Sequence, residues 1–142
     1  MKYQLRCYQK KASDAAILAF STKTKRNGIL ICPTGSGKSL IIADIASRLN
    51  APLVVLQPSA EILKQNFEKL QSYGILDCAC YSASVGCKDI NRITFATIGS
   101  VMNHINDFKH FKYVLIDEVH VVNSRGVFLV SEKRYNELKA YK

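Results

Sequence analysis

Cys32-Pro33-Thr34-Gly35-Ser36-Gly37-Lys38-Ser39 is the stretch on which the reading of this chain turns. It follows a short apolar run, Gly28-Ile29-Leu30-Ile31, and precedes Leu40-Ile41-Ile42-Ala43-Asp44-Ile45, which has the composition of a helix. A strand, a glycine-bearing loop and a helix in that order form a cradle for phosphate groups. Gly35 and Gly37 carry no Cβ, so backbone N–H groups can turn inward on a polyphosphate. The helix beginning near Lys38 adds the positive end of its dipole, Lys38 adds a full charge, and Ser39 offers a hydroxyl suited to Mg²⁺. A strict phosphate loop starts with glycine, and Cys32 holds that place here.

A second cluster lies far downstream. Residues 113–116, Tyr-Val-Leu-Ile, read as a buried strand, and Asp117-Glu118-Val119-His120 follow directly. Adjacent carboxylates at a buried strand end are costly unless a cation compensates them. Asp117 can hold a nucleotide-bound Mg²⁺ through water, and Glu118 can orient the water that attacks the γ-phosphate. Taken alone, the two acids would fit a solvated strand end; Lys38 and Ser39 in the same chain favour the metal.

Between and around these clusters, apolar segments alternate in type. Helical spacing runs over 8–20, a second helix carries Ile41, Ile45 and Leu49 on one stripe, and 53–56 is a strand. Ser59 is a candidate N-cap for a third helix with Ile62, Leu63, Phe67 and Leu70 inside, closed by Gly74. Short strands are predicted at 78–81 and 93–96, and a short helix at 100–106. The expected fold is α/β: a parallel sheet with helices on both faces, binding its ligand at the carboxyl ends of the strands.

The 142 residues suffice for one domain with its own core. Net charge is +9, which favours polyanionic partners, nucleic acid above all. No apolar run is long enough to span a membrane and the N-terminus has no secretory signature, so a cytoplasmic location is expected. Five cysteines, Cys7, Cys32, Cys78, Cys80 and Cys87, at irregular spacing are expected to be reduced thiols, with no histidine nearby to complete a zinc set.

The two clusters together resemble the first RecA-like domain of superfamily two helicases and translocases of the DExH, DEAH-like kind. The likeness runs from Leu5 to about Ser124 and is nearest to bacterial DNA-repair and restriction motors, the type III restriction enzyme res subunits. Leu5-Arg6-Cys7-Tyr8-Gln9 resembles the Leu-Arg-x-Tyr-Gln element upstream of the phosphate loop. The resemblance implies ATP and Mg²⁺ as cofactors. It places Arg6, Gln9, Pro33, Thr34, Gly35, Ser36, Gly37, Lys38 and Ser39 in the nucleotide site, with Gln9 on the adenine edge. Ser39 and Asp117 would serve the metal, Glu118, Asp117 and Lys38 catalysis, and His120 coupling. Gln57-Pro58-Ser59-Ala60-Glu61-Ile62-Leu63-Lys64-Gln65 resembles motif Ia, and Thr97-Ile98-Gly99-Ser100 resembles motif Ib. Pro58, Ser59, Gln65, Thr97 and Ser100 would then face a nucleic-acid backbone, DNA in preference to RNA, without base readout.

A Ser/Thr-Ala-Thr segment is not found after Asp117, and a second RecA-like domain is expected to be absent. The domain is expected over 1–126, with 127–142 as a tail of a short strand, which could fill the motif III slot, and a helix. The function implied is ATP hydrolysis by the ATP-binding half of a nucleic-acid-dependent helicase or translocase. The isolated chain should be weak or inactive, because transition-state charge in related NTPases is neutralised by an arginine worth about 10³–10⁵-fold. A second RecA-like domain in trans or a homodimer would complete it. The alternative is a nucleotide-binding or DNA-binding interaction module without turnover. A small-metabolite kinase is disfavoured by the Asp-Glu-x-His and Tyr-Gln elements.

Overall fold

A computed structural model of the chain describes residues 3–21, 30, 32, 35 and 37–117. The strand expected at 28–31 (apart from Leu30), the strand at 126–130 and the helix at 131–142 fall outside these residues. In chain order the described elements are α1 (Cys7–Ser21), α2 (Lys38–Arg48), β1 (Leu53–Gln57), α3 (Ala60–Ser72), β2 (Cys78–Ser82), β3 (Cys87–Lys88), β4 (Ile93–Thr97), α4 (Ile98–Asn103), a 3₁₀ turn (Ile105–Phe108) and β5 (Tyr113–Ile116).

The sheet runs β3-β2-β4-β1-β5. β1 pairs in parallel with β4 and β5, and β2 pairs in parallel with β4, with Leu53 opposite both Ile93 and Tyr113. Every residue of β1 is buried, as a strand flanked on both sides and covered on both faces requires. Its side chains divide between two cores. Leu53 and Val55 join Ile93, Phe95 and Cys80 beneath α2 and α3. Val54 and Leu56 join Ala96, Tyr81 and Val114 against Val101, Phe108 and Phe111 on the opposite face. The expected α/β sheet with helices on both faces is therefore present.

One strand departs from the parallel pattern. β3 pairs antiparallel with β2 through a turn ending at Gly86, which has φ 81°. Its two residues carry no periodicity to read, and the hairpin changes the cysteine chemistry. Ser82 stands opposite Cys87, and Cys80 and Cys87 form a disulfide rather than the reduced thiols expected. Cys7, Cys32 and Cys78 are thiols, and burial pushes the Cys78 thiol up.

Helix ends are set by identifiable groups. The Ser59 side chain accepts from the backbone N–H of Ile62 at 3.3 Å, the cap expected from sequence. Arg92 donates to the Ala46 carbonyl at 3.0 Å and to that of Leu49, satisfying carbonyls left open at the end of α2. The same guanidinium hydrogen-bonds Asp77 and holds its carboxyl below the usual carboxylate range. α4 begins at Ile98, directly after β4, two residues earlier than expected. It gives way to the 3₁₀ turn because His104 is not helical, with φ −134° and ψ 41°.

α1 packs on α2 through Ala12, Ala16, Ile17 and Phe20, which lie against the main core. Polar groups reinforce the docking. The Tyr3 hydroxyl donates to Asp44 Oδ1 at 2.9 Å, Ser13 Oγ donates to Asp44 Oδ2, and Arg48 pairs with Asp14 at 2.6 Å. Burial and the Asp44 carboxylate push the Tyr3 phenol well above its ordinary value. This docking fixes α1 and the segment before it against the later half of α2.

Candidate functional site

The parallel strands deliver Gln57, Ser82, Thr97 and Asp117 to one edge of the sheet. The Asp117 N–H continues the β1–β5 ladder by donating to the Leu56 carbonyl at 3.0 Å, so Asp117 lies beside the end of β1. α2 starts at Lys38 after Gly37, which has φ 78° and ψ 46°, a left-handed conformation that glycine adopts without a Cβ penalty. Gly35 has φ 80°. Both glycines thus hold a backbone form that favours a residue without a Cβ.

Ser39 and Asp117 are brought together through one amide. Ser39 Oγ donates to Asn66 Oδ1 at 3.0 Å, and Asn66 Nδ2 donates to Asp117 Oδ2 at 3.3 Å and to Gln57 Oε1 at 3.0 Å. The hydroxyl and the carboxylate are hard oxygen donors. Mg²⁺ takes such donors one or two at a time, beside substrate phosphates and water. The residues present therefore fit the cation that the phosphate loop implies. Gln57 is fully buried, and its Nε2 has no hydrogen-bond partner among the described residues. No group of three or more His, Cys, Asp or Glu that could form an all-protein metal site occurs among the described residues.

Gln9 occupies the other side of the loop. It is 5% exposed, its Oε1 accepts the Arg6 N–H at 2.9 Å, and its Nε2 is seated so close to Gly37 that a Cβ there would overlap it. Arg6 itself is exposed. This contact yields an internally controlled experiment. Gly37→Ala and Gly35→Ala both force an L side chain into a left-handed conformation, at a cost of about 1–2 kcal/mol. Only the first collides with Gln9, since nothing among the described residues lies within 4 Å of a Cβ at Gly35. Thermal melts should show Gly37→Ala the more destabilised of the two, and equal losses would remove the significance of the Gln9 contact.

A separate groove of about 400 Å³ lies along the same sheet edge, lined by Pro58, Ser59, Ser84, Thr97, Ser100 and Asn103 among others. Thr97 Oγ1 is within hydrogen-bond distance of Ser82 Oγ (3.3 Å) and Ser100 Oγ (3.0 Å), and the Ala83 N–H donates to Ser100 Oγ at 3.1 Å. Four of the five residues expected to face nucleic acid thus share one groove. Gln65 is exposed on α3 and does not line it. Pro33, Thr34, Ser36, Glu118 and His120 lie outside the described residues.

Asn66 and Gln57 escaped the sequence reading as site residues. A signal existed for Asn66: it falls between Leu63 and Leu70 at helical spacing, a polar residue on the stripe that α3 buries.

Comparison with known proteins bears on the family and the fold. A family model described as "Type III restriction enzyme, res subunit" matches residues 2–142. The chain is 27% identical over 132 residues to DNA 3'-5' translocase XPB2 of Sulfurisphaera tokodaii, an overlap of 92% of this chain and 28% of that protein. It thus spans less than a third of that relative's length. Among solved structures, the UvsW helicase from bacteriophage T4 superposes with a TM-score of 0.72 at 18% identity, over 98% of this chain and 49% of that one. An ATP-dependent RNA helicase, described as hypothetical, from Sulfolobus tokodaii gives 0.61 at 18% identity, over 93% and 47%. The type ISP restriction-modification enzyme LlaGI, solved with a DNA substrate mimic, gives 0.61 at 18% identity, over 83% and 15%. At these identities the structures establish the fold, that of a RecA-like helicase domain.

Proposed function

The chain belongs to the family of type III restriction enzyme res subunits, and from that premise we propose that it is a helicase- or translocase-type ATPase domain. It binds ATP with Mg²⁺ at the sheet edge where α2 begins and β5 ends, and it engages a nucleic-acid backbone in the adjoining groove. The observation that carries this reading is the linkage of Ser39 and Asp117, distant in sequence, through a single amide.

Each residue has a physical task. Lys38, at the first position of α2, neutralises charge on the β- and γ-phosphates, and the N–H groups of the left-handed glycine loop line the polyphosphate. Ser39 and Asp117 hold Mg²⁺, whose chemistry is to offset the negative charge that builds on the transferring phosphoryl group. Glu118 accepts the proton of the attacking water. Gln9, buried against Gly37, reads the adenine edge with a paired donor and acceptor. His120 passes the state of the nucleotide to the rest of the domain.

The second groove carries hydroxyls and backbone groups and no charged side chain among its lining residues. Such a surface suits contact with sugar and phosphate oxygens and is blind to base identity. A surplus of nine positive charges supplies attraction at longer range. DNA is the favoured polymer because the curated relative is a DNA translocase and one structural neighbour was solved with a DNA substrate mimic. A second RecA-like domain, in trans or in a homodimer, supplies the arginine that fast hydrolysis needs. No helix among the described residues is long and apolar enough to cross a membrane, and a cytoplasmic setting fits a nucleic-acid partner.

The test uses the whole chain. A fluorescent ATP analogue is titrated with Mg²⁺ and with EDTA, and turnover is followed with and without single-stranded DNA or RNA. Saturable binding strengthened by Mg²⁺, with slow turnover stimulated by DNA, is the expected result. Binding with no turnover under any condition would favour a non-hydrolysing module, and no binding at millimolar nucleotide would end the proposal.

A further inference from the structure

A polar side chain on the buried stripe of a helix persists where its hydrogen-bonding groups are matched. Asn66 is matched at both ends of its amide. Oδ1 receives the Ser39 proton, while Nδ2 serves Gln57 Oε1 and Asp117 Oδ2. Four elements meet there: the first turn of α2, the middle of α3, and the ends of β1 and β5. Neither motif cluster includes Asn66.

We infer that Asn66 is a positioning residue that sets the orientation of both oxygen donors offered to Mg²⁺. The inference rests on the nucleotide-binding reading above. A serine hydroxyl has one proton and two lone pairs. With the proton given to Asn66 Oδ1, both lone pairs remain for a cation, and the hydroxyl cannot spend its proton on a phosphate oxygen instead. At the other end, a donated N–H on Oδ2 fixes the rotation of the Asp117 carboxylate. Asp117 selects the orientation of the amide. Its ionised carboxylate can only accept, so it holds the NH₂ of Asn66 on its own side and turns Oδ1 toward Ser39, with Gln57 Oε1 as a second acceptor for the same NH₂.

Neutrality matters as much as geometry. An aspartate at this position would still accept from Ser39, but it would set a second carboxylate against Asp117 and leave Gln57 Oε1 without a donor. Leucine has nearly the shape of asparagine and neither polar group. Leucine also leaves Gln57 Oε1 without a donor, but it adds no charge, and Leu63, Phe67 and Leu70 on the same face of α3 are apolar.

The experiment is a pair of affinity measurements on Asn66→Leu, with Asn66→Ala as a second variant should the first fail to fold. The fluorescent ATP analogue is titrated in Mg²⁺ and in EDTA, and Mg²⁺ is titrated at fixed nucleotide. Removing a group that orients metal-binding residues lowers metal affinity by about 10–100-fold, so the Mg²⁺-supported affinity should fall about tenfold while the EDTA affinity holds within about twofold. A merely structural role would move both affinities together. If Asn66→Leu keeps the full gain from Mg²⁺, the inference is overturned while the nucleotide site stands. If the wild-type chain shows no nucleotide binding, both fail.

Discussion

Alanine in place of Lys38 is expected to weaken ATP–Mg²⁺ binding by about 10- to 100-fold, because a hydrogen bond to a charged group contributes about 1.5–3 kcal/mol and each 1.4 kcal/mol is a factor of ten. The loss is large but not total. The N–H groups behind Gly35 and Gly37 and the end of the α2 dipole remain to attract the polyphosphate. Folding should be spared, since the helix is held beyond its first turn by the buried Ile41, Ile42 and Ile45. Arginine should recover charge but not the compact geometry of an ammonium group, giving an intermediate affinity. Equal affinities for wild type and alanine variant, measured by titration at one salt concentration, would remove Lys38 from the site.

The largest stability effect is expected at Phe95. Its side chain is 1% exposed in the middle of β4, with its ring 6.2 Å from that of Phe67 on α3. Phe→Ala in a packed core costs about 3–5 kcal/mol, against a total of about 5–15 kcal/mol for an ordinary domain. A urea titration should therefore find Phe95→Ala shifted strongly toward the unfolded state in buffer alone. Leu76→Ala, at a residue 89% exposed, supplies the contrast and should change stability by less than about 0.5 kcal/mol. Similar midpoints for the two variants would mean that the sheet is not the centre of the fold.

The parallel strands and the helices around them were legible because each is a run of the right period, bounded by a breaker. Leu53 to Leu56 is apolar throughout because both faces of β1 are covered, and Asn50-Ala51-Pro52 stops α2 before it. Ser59 declared its helix by its side chain. What could not be read depends on contacts between distant segments. β3 is two residues long and exists only because β2 lies beside it, so neither the hairpin nor the Cys80–Cys87 bridge leaves a periodic trace. The start of α4 was missed because the chain turns from strand to helix with no intervening loop.

The candidate site was legible to a different depth. Lys38, Ser39 and Asp117 stood out through local motifs, and Gln9 through its place upstream of the loop. Asn66 required knowing that α3 turns this residue toward two segments far away in sequence. The groove residues Ser59, Thr97 and Ser100 fall at strand-to-helix junctions, where hydroxyls cap and bridge backbone groups whether or not a polymer is bound. Their sequence positions alone do not separate the two tasks.

One helix joins the two proposed sites. Ser59 opens α3 at the rim of the groove, and Asn66 lies about two turns, or about 10 Å, further along the same axis. So short a rod does not bend appreciably under thermal forces. A displacement of α3 along its axis would therefore move Asn66 and the Ser59 rim together, with no relay of loose side chains in between.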